Sequence, residues 1–165
     1  MTIEDFKIKV LPIRNKLFRF AKRLLKETAD AEDVTQEVLI KLWSNKEKLN
    51  QYNSIEAFAM IITKNMCLDE LKVKRREVVE LNSTVILPVD STPYKQTELA
   101  DSMKTMNLII DTLPEQQKMI IQLRDIEGYS FDEIAEIMDL GINVIRVNLS
   151  RARKKVRDEF KNLTS

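Results

Sequence analysis

The chain contains no histidine and a single cysteine, Cys67. One cysteine cannot build an internal disulfide framework, and without histidine a metal site loses its commonest ligand. Neither a metal nor a cofactor is expected. Cys67 sits between Met66 and Leu68 and reads as a buried structural thiol. Glycine occurs twice and proline four times in 165 residues, while charged residues make up 32% and apolar ones 44%. That balance suits helices and predicts almost no strand. No apolar run approaches the roughly 18 residues of a membrane helix. The start Met1-Thr2-Ile3-Glu4-Asp5 also lacks a signal peptide's basic head and apolar centre. The expectation is a cytoplasmic protein that is not itself membrane-embedded. Net charge is short too, at +1 from 27 basic and 26 acidic side chains. Affinity for a polyanion must therefore come from local segregation of charge.

Such segregation is present between residues 113 and 160. Ser130-Phe131-Asp132-Glu133 has the form of a capping box, in which the serine hydroxyl accepts from the Glu133 amide and the glutamate reaches back. Ile134, Ile137 and Met138 follow at helical spacing, and Asp139-Leu140-Gly141 then breaks the run. In the next segment Ile142, Ile145, Leu149, Ala152, Val156 and Phe160 form one apolar stripe. Asn143, Arg146, Val147, Ser150, Arg153, Lys154 and Arg157 turn away from it. No acidic residue occurs from 143 to 157. Helix, short turn and basic helix together predict a helix-turn-helix that grips DNA, with affinity from counterion release.

Upstream, periodicity begins near Ile3, breaks at Pro12 and resumes through Ile13, Leu17, Phe20, Ala21, Leu24 and Leu25. A second helix is signalled over 31–43, with Asp30 as its cap and Val34, Val38 and Leu42 on one face. Every charged residue from 27 to 40 is acidic. A polar loop at 45–54 precedes a third helix from Ile55 to about Lys74. Lys72, Lys74, Arg75 and Arg76 are expected at its C-terminal end, where they suit the helix dipole and can face phosphate. Pattern is lost over 77–97, which reads as a linker. It returns from Glu98 with Leu99, Met103, Met106 and Ile110 on one side, and Pro114 is expected at the first position of the following helix. The predicted fold is all-α: a domain at 1–76, a flexible linker at 77–97 and a helix-turn-helix domain at 98–165.

Three stretches in this order resemble the extracytoplasmic-function sigma factors. They are Asp33-Val34-Thr35-Gln36-Glu37, then Asn65-Met66-Cys67-Leu68-Asp69 running into basic residues, and, beyond the linker, Leu113-Pro114-Glu115-Gln116-Gln117 with Leu123-Arg124-Asp125-Ile126-Glu127-Gly128-Tyr129-Ser130. Asn148-Leu149-Ser150-Arg151-Ala152-Arg153-Lys154-Lys155 completes the likeness, which covers nearly the whole chain. The resemblance implies a non-catalytic subunit that rides on core RNA polymerase. Its first domain would melt and read the minus-ten promoter element, and its second would read the minus-thirty-five element.

By the same resemblance, Asp33, Gln36 and Glu37 dock the clamp helices of the largest polymerase subunit, while Asp30 and Glu32 serve the helix dipole. Asn65 would contact a base, its amide both donating and accepting. Lys64, Lys72, Lys74, Arg75 and Arg76 would meet phosphates, and Tyr52 in the loop would offer a stacking surface. Phe58, where the family commonly has tryptophan, is expected in the core. In the reading helix Gly141 replaces the usual Ser or Thr cap, and Ile142 and Val144 replace polar residues. Arg146 is suited to guanine and Val147 to a thymine methyl, with Ser150 and Arg153 positioned for phosphate. Arg151 and Lys154 complete the DNA-binding set. An anti-sigma factor is a further expected partner. The alternative is a free-standing regulator that binds duplex DNA without polymerase. A small DNA-processing enzyme would need a nucleophile or an acid cluster, and none is evident.

Overall fold

A computed structural model describes residues 1–80 and 98–164, with side chains at 1–80 and 101–164. Among them every regular element is helical. The linker expected at 77–97 lies outside the described residues from 81 onward.

The first domain holds α1 (Ile3–Lys9), α2 (Arg14–Leu25), α3 (Thr28–Ser44) and α4 (Ile55–Glu80). Thr2 caps α1 through a reciprocal pair with Asp5, at 3.2 and 3.4 Å. Pro12 opens no helix of its own but sits in a single 3-10 turn, Leu11–Ile13, that redirects the chain into α2. The missing proline amide is harmless there because the first turn of a helix leaves its donors unpaired. Lys26 ends α2 at a φ of 68°. The extended cap of α3 is Glu27, and Asp30 lies inside the first turn instead of capping it. Its expected role passes to the dipole and to Lys74, with which it hydrogen-bonds. Leu17, Phe20, Ala21, Val38, Leu42, Ala59, Met60 and Cys67 are fully buried where α2, α3 and α4 converge. Thr35 and Thr63 join them because each hydroxyl donates to the carbonyl four residues back, at 2.7 and 2.8 Å.

The second domain holds α5 (Glu98–Asp111), α6 (Glu115–Ile121), α7 (Phe131–Met138) and α8 (Ile142–Thr164). Pro114 is the cap residue before α6 rather than its first position. On α5 it is Ile109 and Ile110 that are buried, while Met103 is 68% exposed, so the expected stripe is rotated. After α6 the chain widens into a π-type turn, Gln122–Ile126. This turn closes with Glu127, Gly128 and Tyr129 donating to Gln122, Arg124 and Leu123 at 3.0, 3.1 and 3.0 Å. Gly128 adopts a φ of 79°, the left-handed conformation that a side chain would strain. The turn carries Tyr129 into the core and leaves Ser130 free to cap α7. The two domains touch where α2 meets α6 and where α4 meets α7.

Candidate nucleic-acid and polymerase interfaces

The entry of α7 is fixed by the expected box: Ser130 Oγ accepts from the Glu133 amide at 3.1 Å, and the Ser130 amide donates to Glu133 Oε1 at 3.0 Å. Asp139 closes the helix at a φ of 53°. Gly141 then opens α8 through its carbonyl, which accepts from Ile145 at 3.1 Å with no side-chain cap. Ile145, Leu149, Ala152 and Val156 are buried as the stripe predicts. Consequently Asn143, Arg146, Val147, Ser150, Arg151, Arg153 and Lys154 all stand exposed on the remaining surface of α8.

Arg146 reaches back over Phe131, its guanidinium carbon 5.3 Å from the ring centroid, and Arg124 covers the same ring at 4.5 Å. Phe131, Arg146, Leu149, Ser150, Arg153 and Arg157 line a shallow cleft beside the reading face. Three guanidinium groups around an open cleft make it electropositive, which suits a phosphate. Arg153 is already held: its Nε donates to Asp125 at 3.0 Å and a second nitrogen takes the other carboxylate oxygen. That hydrogen bond raises its pKa further above the ordinary arginine value. Arg146, by contrast, has no ion pair among the described residues.

On α4 the expected cations have different surroundings. The helix runs to Glu80, so Lys72, Lys74, Arg75 and Arg76 lie within it, and the last turn contains no basic residue. The dipole argument for these four therefore fails, and only their reach toward phosphate remains. Lys72 and Arg76 are exposed. Lys74 bonds Asp30, and Arg75 pairs with Glu115 at 2.8 Å. Lys64 is half-buried and donates to the Ile137 carbonyl at 2.8 Å. Burial lowers its pKa, partly opposed by Asp139. Asn65 is exposed. Seven-residue steps place Phe58, Asn65 and Lys72 on one helix face, with Arg76 one turn beyond. Phe58 is only partly buried, against the expectation of a core side chain, and Tyr52 stacks on it at 4.0 Å and 13°. Along α4 there follow an aromatic ledge, an amide and two cations with no ion pair among the described residues.

The third surface lies on α3. Val34, Val38 and Leu42 point inward, and Asp33, Gln36 and Glu37 are exposed on the opposite side. None of these three has a hydrogen bond or ion pair among the described residues. Sequence reasoning missed Ile40, which is 63% exposed and extends the same face by one further turn. Its signal was its position seven residues after Asp33. Also missed was an apolar groove between α5, α6 and α8, lined by Met106, Ile110, Ile121, Ile126, Val156 and Phe160 and rimmed by Arg153, Arg157 and Lys161. No group of three or more Cys, Asp or Glu side chains among the described residues is placed to hold a metal ion. No described helix is long and apolar enough to cross a membrane.

Residues 11–77 match the family described as sigma-70 region 2, and residues 105–156 match sigma-70, region 4. Among individual relatives, the ECF RNA polymerase sigma factor SigE of Mycolicibacterium smegmatis is 30% identical over 87% of this chain and 57% of its own length. A probable RNA polymerase sigma factor, RfaY of Xanthomonas campestris, is 26% identical over 92% of this chain and 39% of its own length. The chain thus spans about half the length of these two, whereas it covers 86% of SigW of Bacillus subtilis at 24% identity. The sigma factor RpoE of Bartonella quintana, solved in complex with the anti-sigma factor NepR, superposes with a TM-score of 0.76 at 26% identity. That superposition covers 96% of this chain and 98% of RpoE. CnrH, in complex with the cytosolic domain of CnrY, shares the fold with a TM-score of 0.68 at 20% identity, over 99% and 92% of the two chains. With regions 2 and 4 both matched, in order, by domains that carry the expected helices, the chain belongs to the extracytoplasmic-function sigma factors.

Proposed function

We propose that this chain binds core RNA polymerase through α3 and directs it to promoters, reading the minus-ten element with α4 and the minus-thirty-five element with α8. It acts by binding, with no catalytic step of its own, and works in the cytoplasm where the polymerase is. Asp33, Gln36 and Glu37 form the docking face for the clamp helices of the largest subunit. Asn65 reads a base, with Lys64, Lys72, Lys74, Arg75 and Arg76 set along the same helix for phosphates. In α8, Arg146 and Val147 read base edges, while Asn143, Ser150, Arg151, Arg153 and Lys154 orient the helix on the backbone. The domains at 1–76 and 98–165 serve separate elements.

The observation that carries this reading is the exposed face of Asp33, Gln36 and Glu37 on α3, without ion pairs among the described residues, on the same chain as a basic helix-turn-helix. A regulator acting without polymerase leaves that face and the Asn65 surface without a role. Because RpoE was solved with the anti-sigma factor NepR, we extend the reading to a partner of that kind, for which the apolar groove of the second domain supplies a surface. The test is a pull-down of core polymerase with the double variant Gln36→Ala and Glu37→Ala. Both side chains are exposed and unpaired, so folding stability should change by less than about 0.5 kcal/mol. Core affinity should fall at least tenfold. Unchanged affinity would remove the docking assignment.

A further inference from the structure

Three contacts along α2 meet α6 and the turn after it in antiparallel register, like the rungs of a ladder. Lys16 lies 5.3 Å from the centre of the Tyr129 ring. One turn on, Arg19 makes a two-pronged pair with Glu127 at 2.5 and 2.8 Å. At the next turn the Arg23 Nε donates to Gln122 Oε1, and its terminal nitrogens donate to Asp111 Oδ1 and Asn107 Oδ1, each at 2.9 Å. On every rung so far a cation meets an acceptor or the face of a ring. One further turn on each side brings Lys26, three residues after Arg23, opposite Lys118, four residues before Gln122. That rung sets a cation against a cation.

Lys118 is 8% exposed, and its ammonium has no hydrogen bond or ion pair among the described residues. Lys26 ends α2, is exposed, and its ammonium is equally unpaired among the described residues. The nearby acids are engaged elsewhere: Asp111 pairs with Arg23 at 2.9 Å, Glu115 pairs with Arg75 at 2.8 Å, and Glu27 acts on Lys74. Burial lowers the pKa of Lys118 and Lys26 lowers it further, with Arg23 adding a little and Asp111 and Glu115 opposing. Lys22, one turn before Lys26, brings a third ammonium, which donates to Thr28 Oγ1. A buried ammonium without an acceptor is unfavourable, and one that faces a second ammonium is more so. An oxyanion between them relieves both, because its several oxygens accept from each ammonium and still leave lone pairs for water.

We propose that Lys118 and Lys26, with Lys22 beside them, form a binding site for a phosphate group, either free or carried on a small phosphorylated metabolite. None of the three lysines belongs to the polymerase-binding or DNA-binding sets proposed above, and the site does not depend on that function.

The experiment titrates inorganic phosphate, pyrophosphate and adenosine 5′-monophosphate into the full chain by calorimetry, with chloride holding the ionic strength constant. Pyrophosphate should give a saturable one-to-one isotherm. Lys118→Met keeps the length of the buried chain and removes its charge, and it should weaken binding at least tenfold. Lys26→Gln, on an exposed side chain, should do the same without touching the core. At ten times its dissociation constant, pyrophosphate should raise the parent's thermal midpoint by about 3–6 °C and leave that of Lys118→Met unchanged. In chloride alone Lys118→Met should melt at or above the parent, since an apolar chain replaces a buried ammonium that lacks an acceptor. Tighter binding of adenosine 5′-monophosphate than of inorganic phosphate assigns the group to a metabolite, and binding no tighter assigns it to free phosphate; both uphold the site. No saturable heat in the parent, or equal binding by the parent and both variants, would overturn it. So would a Lys118→Met midpoint well below the parent's in chloride, because the ammonium would then have its acceptor within the chain.

Discussion

Arg146 and Arg153 lie two turns apart on one helix in different surroundings, and replacing each by alanine tests the different roles proposed for them. Among the described residues Arg146 has no ion pair and meets the Phe131 ring at 5.3 Å. At an exposed site that contact is worth about 0.5–1 kcal/mol, so Arg146→Ala should leave the fold nearly as stable as before. A two-pronged contact with guanine is worth about 1–3 kcal/mol of discrimination, which corresponds to about 5- to 140-fold between the right and wrong base. That loss should appear at one base pair of the minus-thirty-five element. Arg153 begins from a pair with Asp125, so its contribution to DNA is the difference between a carboxylate and a phosphate. Arg153→Ala should weaken all sequences alike and by less, with the salt dependence of binding falling by about one phosphate contact. The assay is holoenzyme binding to duplexes randomised across the element, at several salt concentrations. Altered preference with Arg153→Ala and uniform weakening with Arg146→Ala would show that α8 enters the groove by another face.

Gly128→Ala should destabilise the second domain by about 1–2 kcal/mol in denaturant titrations, the cost of placing a side chain at left-handed φ. A Cβ there would meet nothing within 4 Å, so the cost is conformational alone, and a neutral result would refute that assignment. Cys67 should resist a thiol reagent at pH 8 until the first domain unfolds, because burial raises its pKa to about 12, with Glu70 adding to the shift. Thiolate is then scarce, and prompt stoichiometric reaction would contradict the packing described for α4.

Periodic, local features were legible in the sequence. The α7 cap, the buried stripe of α8 and the inward face of α3 each depend on residues within about four positions of one another. Helix ends were harder to read. The chain of α4 from Val73 to Glu80 mixes valines, cations and acids, with no glycine or proline to stop it, and the helix simply continues. The π-type turn at 122–126 has no such local signature, since its closure depends on Tyr129 entering the core. The interdomain pairs were not readable at all: Arg23 and Gln122 are 99 residues apart, and arginines on an amphipathic helix ordinarily face water. Of the binding surfaces, charge segregation was visible while occupancy was not. Nothing local to Lys64, Lys74, Arg75 or Arg153 shows that each has an acceptor within the protein.

The most direct measurement of the central claim compares promoter binding by the purified chain alone with binding by the chain mixed with core polymerase, across a library of promoter-length duplexes. The account predicts weak, unselective binding by the chain alone. The mixture should bind a small set of sequences tightly and start transcripts from them. Tight, selective duplex binding by the chain alone, with no gain on adding polymerase, would contradict it.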